Sequence, residues 1–301
     1  MPPSDDGLAL QREAYGQAVP VAEGFWLLAT RHHGAGLSRF PEANNRSFIL
    51  RLTDAGTGRP GLVVFNATDP VQAFPAVRRV CAETGLDVRE VVSTSGGHHA
   101  YMGAWHDEFP QAQLRVGARR VPHTTQGREL LARPRVDTMD PGDPLPHYAA
   151  QLEAVTFTEF LGPPEFASPL AGGADSLWAT IVAARRLLSS TDPYDELWLY
   201  HRATDTVIGG ENLAPSFTPQ AHAALPFVVR RTVKLGRVAV HRKMIDPEAI
   251  DRSWRAVLRW PGRTLLGMHD SVGGGFRGDV ASALRDAAQR RGQLIARGDD
   301  A

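Results

Sequence analysis

The chain of 301 residues has one cysteine, Cys81, and two lysines, Lys234 and Lys243. A single cysteine excludes an intrachain disulfide and any thiolate cluster for zinc or iron–sulfur. Cys81 falls inside a helix predicted from Val71 to Thr84 and reads as a packing residue. The scarcity of lysine beside arginine reflects genomic base composition rather than chemistry. No apolar run approaches the ~18 residues of a membrane span. Charge of either sign is not in excess: 33 basic residues face 33 acidic ones. The chain therefore advertises no field for nucleic acid or an acidic membrane. The N-terminus, Met1 to Asp6, is polar and acidic, without the basic and apolar regions of a signal peptide. The expectation is a soluble cytoplasmic protein, with a homo-oligomer left open. Nucleotide-binding and serine-hydrolase signatures are missing too. Gly273-Gly274-Gly275 lacks the surrounding pattern of a phosphate loop, and Ser93 and Ser95 lack a Gly-x-Ser-x-Gly elbow.

What is present is an ordinary globular composition, 43% hydrophobic and 22% charged, long enough for one large domain or two packed halves. Residues 1–22 read as a loosely ordered leader. Three strands are predicted at Phe25–Thr30, Ser47–Leu52 and Leu62–Asn66. The last two flank the Gly/Asp/Pro cluster Thr53–Pro60 and so form a hairpin. Pro70 opens the helix that carries Val71, Phe74, Val77, Val80 and Cys81 at a 3.6 period. A strand follows at Val88–Ser93, then a short helix around Tyr101–Phe109 and a strand at Gln113–Val116. The Pro-rich passage Arg133–Pro146 reads as a surface loop or as the join between halves. The second half, from about residue 151, has strands at Val155–Phe160, Glu196–His201, Thr206–Ile208 and Arg263–Met268. Its helices are predicted near Asp175–Ser189, Pro247–Arg259 and Arg277–Gly292. Strands followed by helices, twice over, suggest two sheets packed face to face in one domain over residues 23–301.

His98 and His99 follow the Val88–Ser93 strand across Ser95-Gly96-Gly97. Residues beyond the C-terminal end of a strand project into the crevice where α/β folds bind ligands. Two imidazoles there can reach one metal ion, or they can be hydrogen-bonded loop histidines.

Three pieces combine in order. They are the hairpin and helix leading to the His-rich loop, the run Glu196–Leu213 containing Gly209-Gly210-Glu211, and Trp260–Asp270 containing His269. In this order they resemble the metallo-β-lactamase-like fold superfamily. The resemblance is to a divergent branch with a His-His pair followed by a Trp and a Phe-Pro, here His98-His99, Trp105 and Phe109-Pro110. It implies an αββα sandwich of two mixed sheets with helices outside.

The family's first motif, His-x-His-x-Asp-His, aligned on His98-His99, puts Thr94 and Gly96 where two histidines belong. Neither can replace imidazole, so the resemblance implies one metal ion, zinc or iron, rather than two. His98 takes the place of the Asp and His99 keeps the final His. Glu211 stands for the family's Asp after a hairpin, and His269 for its last His. The middle His has its nearest counterpart in Pro163-Pro164-Glu165; di-iron oxygenases of this fold carry a Glu there, which makes Glu165 a candidate ligand. The implied set is thus His98, His99, Glu165, Glu211 and His269. Asp270 and His123 are candidates to support it from behind. Such nitrogen and carboxylate donors suit zinc or ferrous iron alike. The implied function is a metal-dependent hydrolase using a metal-activated water. The alternatives are an iron-dependent oxygenase or a non-catalytic binding protein on the same fold. Arg119-Arg120, Arg230-Arg231 and Arg290-Arg291 read as solvated faces, one of which could take a substrate carboxylate. His32-His33 reads as an exposed loop pair, and the remaining histidines as surface or packing residues.

Overall fold

The computed structural model describes residues 15–31, 44–95, 99–162, 192–213, 240, 243–270 and 275–295. Among them, the strands assemble into two sheets. The first runs β1 (Ala18–Ala22), β2 (Phe25–Arg31), β3 (Asn44–Thr53), β4 (Pro60–Phe65), β5 (Val88–Val92), β6 (Gln113–Val116) and β7 (Val136–Thr138), in that spatial order. Pairing is antiparallel from β1 to β4 and parallel from β4 to β7. Helices α1 (Pro70–Thr84), α2 (Met102–Glu108) and α3 (Thr125–Leu131) lie in the connections between the parallel strands. The second sheet is built from β8 (Leu152–Gly162), β9 (Asp192–His201), β10 (Thr206–Gly209), β11 (Lys243–Met244), β12 (Thr264–Gly267) and β13 (Phe276–Arg277). Its order is β11-β8-β9-β10-β12-β13. Only β10 and β12 pair in parallel there. Helices α4 (Pro247–Val257) and α5 (Val280–Arg290) belong to this half.

Period-two alternation decides which face each strand gives to which layer. Phe25 and Leu27, Phe48 and Leu50, Val63 and Phe65 point inward and meet Leu197, Leu199, Ile208, Leu266 and Met268 from the second sheet. The intervening Leu28, Ile49, Leu62 and Val64 face outward, against Ala73, Val77 and Val80 of α1 and Trp105 of α2. On the far side Trp198, Tyr200, Val207 and Leu265 pack under Ile250, Trp254 and Val257 of α4 and Leu284 of α5. The result is helix, sheet, sheet, helix. Strands such as β4 and β10 are buried on both faces because both are covered.

Local chemistry fixes the helix ends. The Asp69 carboxylate accepts the Val71 N–H at 2.9 Å, Pro70 sits in the first turn, and Gly85 closes α1 at φ 69°. Thr124, Asp246 and Asp279 cap α3, α4 and α5 in the same way.

The structure corrects the sequence reading in three places. The end of the expected leader, Ala18–Ala22, is an edge strand paired with β2. Its sequence Ala-Val-Pro-Val-Ala shows no clean alternation, and an edge position is where a strand tolerates Pro20. The Pro-rich passage contains β7, whose three residues are too few to show a period. The last helix begins at Val280, because Phe276–Arg277 pair with β12 and Asp279 then supplies the cap. The helix expected at 175–189 lies outside the described residues, as does the pair His32-His33. Among the described residues no helix is long and apolar enough to cross a membrane.

Candidate metal site at the strand ends

Two parallel strands bring two distant segments side by side. β10 pairs with β12 so that Gly209 stands opposite Gly267. Glu211 and His269 each follow two residues later, past the C-terminal ends of neighbouring strands. The side chains meet: Glu211 Oε1 lies 3.8 Å from His269 Nε2, with 13% and 26% of the side chains exposed. The pair is sheltered but within reach of solvent. Gly210 is needed for this path. A Cβ there would stand 2.8 Å from the Glu196 carboxyl carbon and 2.9 Å from Trp198 Nε1, closer than packed atoms approach. Glu196 itself is buried and accepts from Trp198 Nε1 at 2.5 Å and from the Asn212 backbone N–H at 2.7 Å. It thereby pins the turn on the far side of Glu211.

The first sheet joins the second at this end. Leu197 N donates to Thr94 O at 2.7 Å, and Ser95 bridges to Glu196. Tyr194, at the start of β9, is fully buried. Its hydroxyl lies 2.9 Å from Ser95 Oγ and hydrogen-bonds Glu211 Oε2. A phenol has one proton and a carboxylate only accepts; Tyr194 therefore donates to Glu211 and can receive from Ser95. Next to it, burial pushes the Asp195 carboxyl up from the usual range, against the opposing backbone N–H of Arg119 at 3.1 Å.

Asp270 holds the segment behind His269. Its Oδ2 accepts the Gly267 N–H at 2.6 Å and lies 3.6 Å from Arg46 Nη1, with both side chains buried. Arg46 also donates its backbone N–H to Met268 O at 2.9 Å. The turn that carries His269 is therefore tied to β3 of the opposite sheet.

Of the residues expected at the site, Glu211 and His269 come together. His99 is buried, with its Nε2 3.4 Å from Thr124 Oγ1 at the cap of α3. His123 ends the turn Val121–His123 with an exposed side chain. His98 and Glu165 lie outside the described residues. Among the described residues, no three of His, Cys, Asp and Glu converge as a metal-ligand group. Thr94 does not stand in for a lost histidine: its hydroxyl points to Met268 Sδ at 2.6 Å. Tyr194 was invisible to sequence reasoning. It sits at the head of a hydrophobic strand, where a core role is the plain reading, and only the sheet-to-sheet junction turns its hydroxyl toward Glu211.

Comparison with known structures decides the architecture. A β-lactamase domain protein from Burkholderia ambifaria superposes with a TM-score of 0.52 at 16% identity. The match covers 96% of this chain and 79% of that one. The FIM-1 metallo-β-lactamase from Pseudomonas aeruginosa, in its mono-zinc form, gives 0.52 at 12% identity, over 94% and 99% of the two chains. A metallo-β-lactamase from Erythrobacter litoralis, with β-mercaptoethanol in its active site, gives 0.52 at 14%, over 92% and 98%. This chain has the metallo-β-lactamase fold. No protein-family model matches the sequence, and neither does any curated protein.

A metal implied by that fold can be tested against the residues present. Two ligands of one tetrahedral ion with bonds of about 2.1 Å stand about 3.4 Å apart. The 3.8 Å between Glu211 Oε1 and His269 Nε2 is close to that spacing. One imidazole nitrogen and one carboxylate oxygen, partly exposed at the mouth between two sheets, fit half of a zinc or ferrous donor set.

Proposed function

We propose that the protein is a metal-dependent hydrolase of a small molecule, with one transition-metal ion, zinc or iron, held by Glu211 and His269. In this reading the remaining donors come from the other candidate ligands, His98, His99 and Glu165. The observation that carries the proposal is the approach of Glu211 to His269 at 3.8 Å from matched positions beyond β10 and β12. Matched positions beyond two neighbouring parallel strands bring two metal-binding side chains together.

When bound, such an ion lowers the pKa of a water and polarises the scissile group. The chain's own residues prepare the place. Tyr194 donates to Glu211 Oε2 and so fixes the carboxylate plane, leaving Oε1 toward His269. Asp270 and Arg46 hold the turn from which His269 projects. His269 ligates through a neutral nitrogen, so metal uptake weakens in acid. Thr94, engaged with Met268, supports a single ion rather than two.

The test is metal analysis of protein purified without chelator, with Glu211→Ala and His269→Ala beside it. The expected result is close to one ion per chain in the parent and loss of most of it in each variant, with the fold retained. Zinc supports the hydrolase, whereas iron with O₂ consumption moves the protein to the oxygenase reading. A parent without metal, or variants that keep full occupancy, would overturn the proposal.

A further inference from the structure

Arg120 is a buried cation with no ion pair to a carboxylate among the described residues. Its side chain is 6% exposed, and Nε and Nη1 are shielded from solvent with no hydrogen-bond partner among the described residues. A guanidinium stays charged under all ordinary conditions and offers five donors and no acceptor. Its guanidinium carbon lies 5.4 Å from the centroid of the Tyr194 ring. A cation–π contact returns far less than the burial of an unpaired charge costs. The neighbouring Arg119 shows the ordinary solution: half-exposed, it pairs with Glu159 at 2.6 Å and reaches the Thr158 carbonyl. Arg46, equally buried, lies against Asp270. Asp195, adjacent to Tyr194, turns instead to the Arg119 backbone N–H. The tandem arginines therefore divide: one braces the surface and the other is kept, at a cost, inside.

What Arg120 lies beside gives that cost a purpose. The aromatic face that carries its guanidinium belongs to the residue whose hydroxyl touches Glu211 and Ser95. The turn that follows Arg120 carries Thr124, against which His99 rests. Arg120 is thus one ring away from the Glu211–His269 pair. We propose that Arg120 binds an oxyanion, a carboxylate or phosphate group, and that this anion is part of the substrate. That second clause rests on the hydrolase reading of the site, and it narrows the substrate to small anionic molecules. An oxyanion is the complement of a desolvated guanidinium, because it supplies both the missing charge and the missing acceptors.

Binding can be read without turnover. Metal-free protein is titrated calorimetrically at fixed ionic strength with inorganic phosphate and, separately, with acetate. The parent should bind at least one of them. Preference for phosphate points to a phosphate-bearing substrate, and preference for acetate to a carboxylate. Arg120→Gln should weaken binding by about tenfold or more, as expected for loss of a charged hydrogen-bonding partner. Arg120→Lys should fall between, and Arg119→Gln should stay close to the parent. Should Arg120→Gln fail to fold, the Lys variant carries the comparison, since it keeps the charge and loses the fork. Glu211→Ala separates the two readings. If it loses metal but keeps Arg120-dependent anion binding, both stand. If the parent holds no metal yet binds the anion through Arg120, the hydrolase fails and the anion site survives. No binding of either probe, or binding unchanged in both Arg120 variants, overturns the assignment.

Discussion

Replacing Asp270 by alanine should be among the most damaging single changes to the protein, and the reason can be worked through atom by atom. Asp270 and Arg46 are 1% and 0% exposed, with Oδ2 and Nη1 3.6 Å apart. Removing the carboxylate leaves a guanidinium in the interior between two sheets. Breaking a buried pair from one side costs about 3–5 kcal/mol. The same carboxylate caps the Gly267 N–H at 2.6 Å, so the turn into His269 loses its fastening as well. At about 2–4 °C per kcal/mol for a chain of this size class, the melting temperature should fall by roughly 6–20 °C. Replacing both members is a different perturbation. In Arg46→Leu with Asp270→Ala no charge is stranded, and swapping a buried pair for apolar groups is often neutral. The double variant should therefore recover much of the loss seen in Asp270→Ala. Denaturant unfolding of the four proteins in a double-mutant cycle measures this coupling. Additive losses, with the double variant worse than either single one, would refute the reasoning. Metal content offers a second readout. Even where Asp270→Ala is folded at low temperature, it should retain metal less well, because the turn presenting His269 is loosened.

Asp195→Asn should stabilise the protein at neutral pH. Burial raises this carboxyl above its ordinary range, so the folded state binds the proton more tightly than the unfolded chain. Stability that depends on the bound proton is full below the unfolded value of about 3.9 and is lost as pH rises through the folded one. An amide, always neutral, still accepts from the Arg119 N–H, so the variant's advantage should be near zero around pH 4 and grow toward pH 7. An equal effect at both pH values in thermal melts would contradict this. Gly210→Ala should both lower stability and reduce metal retention, since its methyl group would meet Glu196 and Trp198 just ahead of Glu211. A variant with the parent's melting temperature and metal content would show that the turn can yield.

The order of the layers was written in the sequence because it depends on local pattern. Apolar runs such as Phe25–Ala29 and Leu197–Tyr200 mark buried strands by composition and length. The 3.6 period after Pro70 marks the first helix by chemistry within a few residues. Glu211 and His269 were picked out as candidates by motif order, and each stands two residues after a glycine that ends a strand. The tertiary structure alone decided what these side chains touch. The parallel pairing of β10 with β12 set Gly209 opposite Gly267, and with it Glu211 beside His269. The joining of Ser95 to Glu196 turned an anonymous core tyrosine into the donor for Glu211. The split of Arg119 from Arg120 is likewise invisible in a dipeptide that reads as a solvated face. Burial and charge pairing are properties of residues far apart in the chain, and no local pattern encodes which partner a packed sheet will bring.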